Sequence, residues 1–380
     1  MQANIRNVQG VKLTVMKPAI HSSYDLAVDF IRILAIIGVI AIHTDVITSS
    51  FTNYLGGLSW WFVNCIHTAS RVAVPLFFMV SGYLYLNPQK QITPGYILNK
   101  IIYRLGLPLV IWTLVYIWWD IYWLKNGPQL FTYLKLILTG SVFHLYFLVI
   151  LIGLYAVTPW IKPHLIKLPT SKLLLYLTLG FILAALATAF SYVLGHRTLP
   201  SLFFSLWLPY LSYYLAGYAI GYRYHPKRHH LYLFLVAYLF LTGITVYLNY
   251  QNTRWYLGGF RDFWTSMGGQ YFTEHFSPSI IIMSLCLFAV LINLDVLSSR
   301  LYTSLPKKTI ILLASASFGI YLIHPIVLQL IDHYGRLSIQ FVTGSLWWYY
   351  LKKIFLTYTI SLIIVLIARQ LSIVKKAFGE

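Results

Sequence analysis

Acidic residues are nearly missing from this chain: 9 Asp and Glu stand against 28 Lys and Arg in 380 residues, and charged types make up only 10% of it. A water-soluble domain of this length cannot cover its surface with so little charge, so a soluble enzyme or binding module is excluded. Cysteine is scarce too. Cys65 and Cys286 both fall inside apolar runs, which gives neither a disulfide framework nor a thiolate metal site a basis. The basic excess does not point to nucleic acid, because the basic residues are not gathered on a polar face with interleaved aromatics. Internal repeats and low-complexity stretches are also missing. What fills the chain is hydrophobic sequence, 59% of it, in long runs that recur from residue 26 to residue 369.

A membrane span needs about 20 mostly apolar residues. By that rule the sequence holds ten, at about 26–47, 62–86, 101–124, 142–160, 172–194, 203–222, 230–250, 276–294, 309–331 and 349–370. The expected fold is all-α, a polytopic membrane helix bundle. An even number of spans puts both termini on one side, and 18 of the 28 basic residues fall in segments on that side against 8 on the other, with Arg32 and Arg71 inside spans. Positive charge stays inside, so both termini are expected to be cytoplasmic, with a tail at 1–25, a membrane domain at 26–370 and a second tail at 371–380. The first apolar run carries charges and no small-residue cleavage site follows it, so it is expected to be retained. Multi-pass residence in a cell membrane, among membrane lipid, is the expected location.

The first run is unusual. "DFIRILAIIGVIAIHT", residues 29 to 44, is oily except at Asp29, Arg32 and His43. His43 follows Arg32 by eleven positions, which brings the two to within about 20° of one helical face and about 16 Å apart along the axis. Asp29 lies three residues before Arg32 and reaches it as an ion pair, which lowers the cost of charge in hydrocarbon. The stripe is either a functional track or a structural pair near a helix end with His43 as an outer cap.

Other polar residues are candidates with a plain alternative beside each. Arg71 is expected on the outer half, as an acceptor-side or structural cation whose partner is Asp45. His324 sits in "YLIHPI", where Pro325 frees a backbone carbonyl; it is either a second functional residue or a packed histidine bonded to that backbone. The external stretch at about 251–275, rich in Gly and aromatics and carrying Asp262, Glu274 and His275, is either a lid or acceptor platform or an interfacial segment. "YHPKRHH" (224 to 230) has three histidines but no carboxylate or thiolate nearby, so no metal site is expected.

Several stretches resemble the acyltransferase 3 family of integral membrane acyltransferases. They are Arg32 with His43, "VPLFFMVSGYLY" (74 to 85), "HLYFLVILIGLYAVTPWI" (144 to 161) and "SFGIYLIHPIVL" (317 to 328), in the family's order along most of the chain. The family's Arg-x-x-Arg before the third-span proline is incomplete: Arg104 and Pro108 are present, but Ile101 takes the first arginine's place, with Lys100 beside it. The resemblance implies transfer of an acyl group, usually acetyl, from cytoplasmic acyl-coenzyme A to a hydroxyl of a cell-surface polysaccharide or its lipid-linked precursor. Polysaccharide-synthesis machinery would be a partner. Arg32, Arg104 and Lys100 would bind the coenzyme phosphates. His43 would be the general base or the carrier of an acyl group, with Asp29 and His324 as further catalytic candidates. Ser81, Arg71, His144 and Tyr321 are the candidate substrate-side residues, and Ser81, Tyr83, His144 and Tyr321 the candidate oxyanion stabilisers. A transporter that moves an acyl group or lipid-linked glycan without chemistry is the competing reading, since it too needs polar residues inside a bundle.

Overall fold

The computed structural model describes residues 25–44, 55–125, 133, 143–193, 205–258, 271–304, 306–334, 346–371 and 374–379. Asp25 starts the first helix, α1 (Leu26–His43), by accepting from the amides of Ala27 and Val28. The next apolar run is one span in two pieces, α2 (Leu58–Ser70) and α3 (Ala73–Tyr85), with Arg71 and Val72 in a turn between them. Pro75 accounts for the break. Having no N–H, it leaves the carbonyl of Arg71 without a helical donor.

Thr93 caps α4 (Pro94–Lys100), so the third span begins seven residues before the expected start at 101. It passes through a wide π turn, Ile101–Gly106, into α5 (Leu107–Tyr122). Then come α6 (Tyr146–Lys167), which continues through Pro159 and Pro163, and α7 (Thr170–Val193). A short helix, α8 (Leu211–Tyr218), ends in a second wide turn, Ala219–Arg223, before the long α9 (Arg228–Leu257). After α10 (Pro278–Ile292) and two short helical turns, α11 (Lys307–Tyr334) and α12 (Leu346–Ala368) complete the bundle. Among the described residues every regular element is helical, and nine helices or helix pairs are long and apolar enough to cross a bilayer.

The expected span at 203–222 is not among those nine. Its described helix has 8 residues followed by 5 of wide turn, about 20 Å against a hydrocarbon core of about 30 Å. It nevertheless traverses the interior, with Tyr213, Tyr214 and Tyr218 almost wholly buried. Phe78 meets Tyr210 and Tyr83 meets Tyr222, so the segment runs in the same direction as α3. Arg223 donates to the carbonyl of Ile166 near the end of α6, which returns the chain to the end of the bundle from which α7 left. Protein packing replaces lipid around this segment, and a full apolar length is therefore unnecessary.

The lipid-facing surface is carried by α7 and α9, where Leu175, Leu183, Phe190, Leu233, Val236 and Phe240 are all exposed. Exposed apolar faces of this extent belong in hydrocarbon. Residues 374–379, expected as a tail, fold under the bundle: Trp112 Nε1 donates to the Ala377 carbonyl at 2.9 Å, and Phe378 is buried. Asp25 accepts from the Tyr83 hydroxyl at 2.8 Å, while Phe378 and Gly379 line a cavity with Tyr85 and Lys90. The two described ends of the chain therefore lie at one end of the bundle.

Candidate active site

That end of the bundle holds a cavity of about 480 Å³. Four cations line it: Arg32 from α1, Lys90 from the turn after α3, Lys100 from α4 and Arg104 from the π turn. The side chain of Arg32 remains 35% accessible and its Nη1 lies 3.4 Å from Asp29 Oδ1, the i, i+3 pair that the spacing predicts. Asp29 is buried, whereas Lys90 and Lys100 each stand over the ring of Tyr96, at 5.8 and 5.5 Å. Lys100 shares the cavity with Arg104, so a cation is present although Ile101 is not arginine. Four cations and, among its described lining residues, no carboxylate give the cavity a positive potential that favours anions.

Phe147 and Tyr321, whose rings are 5.1 Å apart, also line the cavity. Beyond them three histidines from distant parts of the chain come together. The ring of His43, at the end of α1, lies 5.3 Å from that of His324 and 6.5 Å from that of His144, and the latter two are 5.2 Å apart. His43 is exposed while His144 and His324 are buried, so the cluster has one open face. Because α1 is continuous from Leu26 to His43, the rise from Arg32 to His43 is about 16 Å. Asp29 lies farther still, about 21 Å from His43 along the helix. It is thus grouped with the cavity cations and not with the histidines.

Local chemistry orients His324. Pro325 lacks the N–H that would have bonded the Tyr321 carbonyl, and His324 Nδ1 takes its place at 2.7 Å. A carbonyl only accepts, so Nδ1 carries the proton and Nε2 presents a lone pair. That Nε2 and both nitrogens of His144 are buried with no hydrogen-bond partner among the described residues. Tyr321 donates to the backbone carbonyl of His144, Tyr116 to that of Leu322 at 2.7 Å, and Tyr350 to that of Ala41 at 2.7 Å. Tyrosine hydroxyls therefore anchor the backbone of all three segments that carry the cluster. Among the described residues no three His, Cys, Asp or Glu side chains are grouped to hold a metal ion.

The structure divides the remaining candidates between two places. Ser81 lines the cationic cavity, and Tyr321 separates it from the histidines. Tyr83 is occupied with Asp25. Arg71 lies elsewhere in the bundle, bonded to Thr273 Oγ1 at 3.3 Å, and its expected partner Asp45 falls outside the described residues, as does Asp262. Lys90, which a short turn carries into the cavity, and Tyr116, which supports the backbone of α11, have no local signal in the sequence, because only packing brings them there.

Residues 25–366 match the family model described as an acyltransferase domain, acyltransferase 3. No curated protein and no solved structure matches the chain.

Proposed function

Because the chain belongs to the acyltransferase 3 family and is a multi-pass helical membrane protein, we propose that it moves an acetyl group from cytoplasmic acetyl-coenzyme A to a hydroxyl of a cell-surface polysaccharide or its lipid-linked precursor, in a bacterial plasma membrane. The observation that carries this reading is the pairing of a four-cation cavity with a three-histidine cluster about 16 Å farther along one helix. Coenzyme A has the same layout, with phosphates at one end of a long thin arm and the thioester at the other. Arg32, Lys90, Lys100 and Arg104 would hold the phosphates at the cytoplasmic end, and the arm would pass Tyr321 and Phe147 to reach the histidines.

The acceptor hydroxyl comes from the open side, where His43 is exposed. A sugar hydroxyl is a weak nucleophile at neutral pH, and an imidazole with an ordinary pKa of about 6.5 suits the removal of its proton. His43 takes that proton as the oxygen attacks the thioester carbonyl; the C–O bond forms, the C–S bond breaks, and the proton is returned to the departing thiolate. His324 Nε2, 5.3 Å away ring to ring, can carry the proton within the cluster, and an N–H of His144 can meet the oxyanion. Purified protein in lipid nanodiscs, supplied with radiolabelled acetyl-coenzyme A and envelope glycan, tests the reading. We expect His43→Ala to lose transfer about 10²-fold or more at wild-type expression; full acetylation by that variant would exclude His43 as the base.

A further inference from the structure

A second polar group in the bundle plays no part in the cavity or the histidine cluster. Arg71, in the break between α2 and α3, is held by Thr273, and its Nε has no partner among the described residues. The residue after Thr273 is Glu274, which accepts from the Tyr192 hydroxyl at 2.7 Å. Arg71 and Glu274 lie close enough for each to act on the other's charge, yet among the described residues they make no ion pair. A guanidinium and a carboxylate this close would close on each other unless held apart, and here Thr273 and Tyr192 each engage one of them.

A pair held apart presents hydrogen-bond donors on one side and an acceptor on the other. A sugar hydroxyl both donates and accepts, so two neighbouring hydroxyls satisfy both groups at once. An anion would gain Arg71 and meet Glu274. In this respect the place is the opposite of the four-cation cavity, whose lining favours anions. Aromatic rings stand close by, with Tyr192 and Tyr271 5.3 Å apart and Tyr210 and Phe276 4.8 Å apart. They wall the place with packed aromatic side chains. The group adjoins the histidine cluster: His67 and His275 each lie within electrostatic range of both Arg71 and His43, and Tyr146, two residues after His144, lies within range of Arg71 and Glu274.

We propose that Arg71 and Glu274 form the acceptor-binding site, gripping a neutral sugar through adjacent hydroxyls so that another hydroxyl meets His43. This rests on the acyltransferase reading above and adds to it the chemical class of the acceptor.

Cells producing the wild-type chain are fed labelled acetate, and the envelope glycan is hydrolysed to sugars that are separated by charge with their O-acetyl groups retained. The expected result is label on a neutral sugar, falling about tenfold in Glu274→Gln and in Arg71→Lys. Tyr192→Phe, which loosens Glu274 without removing it, should fall less. Each purified variant should bind acetyl-coenzyme A with wild-type affinity, which separates loss of the acceptor site from loss of the fold. Label on an acidic sugar, or unchanged labelling in both charge variants, overturns the acceptor assignment and leaves the acyltransferase reading standing. No glycan labelling by the wild type beyond cells without the gene overturns both.

Discussion

At the scale of single residues, the most informative contact is the hydrogen bond from His324 to the carbonyl that Pro325 frees. The sequence offered two roles for His324, packed or functional, and the structure shows why they need not exclude each other. Bonding Nδ1 to the backbone fixes the tautomer and leaves a lone pair on Nε2, in a ring 5.3 Å from that of His43 and 5.2 Å from that of His144. Pro325→Ala separates the two consequences. It restores an N–H that competes for the Tyr321 carbonyl, so the imidazole loses its anchor and its preferred proton position. Turnover should fall about 10- to 100-fold, the usual cost of removing an orienting partner. Stability should hold or rise, because proline inside a helix is itself costly. Steady-state kinetics alongside a thermal melt in detergent checks this; loss of melting temperature in step with activity would make Pro325 a structural residue only. The pairing of His324 with Pro325 is local and therefore visible in the sequence. The meeting of His43 with His144 is not, since about a hundred residues separate them and only packing decides which distant segments touch.

Among the elements, α3 and α8 approach each other closely. A Cβ on Gly82 would lie 1.8 Å from the Tyr214 carbonyl oxygen, and one on Gly217 would lie 1.9 Å from that of Met79. Without a hydrophobic driving force between helices in lipid, such small-residue contacts supply the packing that holds a short helix in place. Gly82→Ala should therefore lower the melting temperature sharply and reduce activity through loss of fold. Gly243→Ala on the lipid-facing α9 is the control, because nothing lies within 4 Å of its Cβ. It should be neutral or slightly stabilising, as alanine is the better helix former by about 1 kcal/mol. Equal melting temperatures for Gly82→Ala and the wild type would remove the contact's importance. The long spans were legible as apolar runs because lipid demands about 20 such residues. The short traverse near 203–222 looks like an ordinary span in sequence because hydropathy registers composition and not whether protein or lipid surrounds it. The wide turn at Ile101–Gly106 left no local signature, although it carries Arg104 into the cavity wall.

Over the whole molecule, charge is divided by task. The end where the described termini lie gathers Arg32, Lys90, Lys100 and Arg104 around one cavity with Asp29 as counter-charge, whereas Arg71 and Glu274 form a balanced pair away from it. The cationic excess that serves as a topology signal in the sequence thus also lines a cavity, and the proposed phosphate-binding role can be told apart from the topological one by the donor. Acetyl-coenzyme A carries the phosphates; S-acetylpantetheine carries the thioester and most of the arm without them. If the four cations hold phosphate, Arg104→Ala should raise the KM for acetyl-coenzyme A about tenfold or more, the worth of one charge-assisted hydrogen bond. The same substitution should change the KM for S-acetylpantetheine little, and that KM should already be high in the wild type. Added salt should weaken acetyl-coenzyme A and spare the truncated donor, because only the former depends on screened charge. Equal losses with both donors would mean that Arg104 supports the turn it sits on instead of the ligand, and would leave Arg32, Lys90 and Lys100 to hold the phosphates.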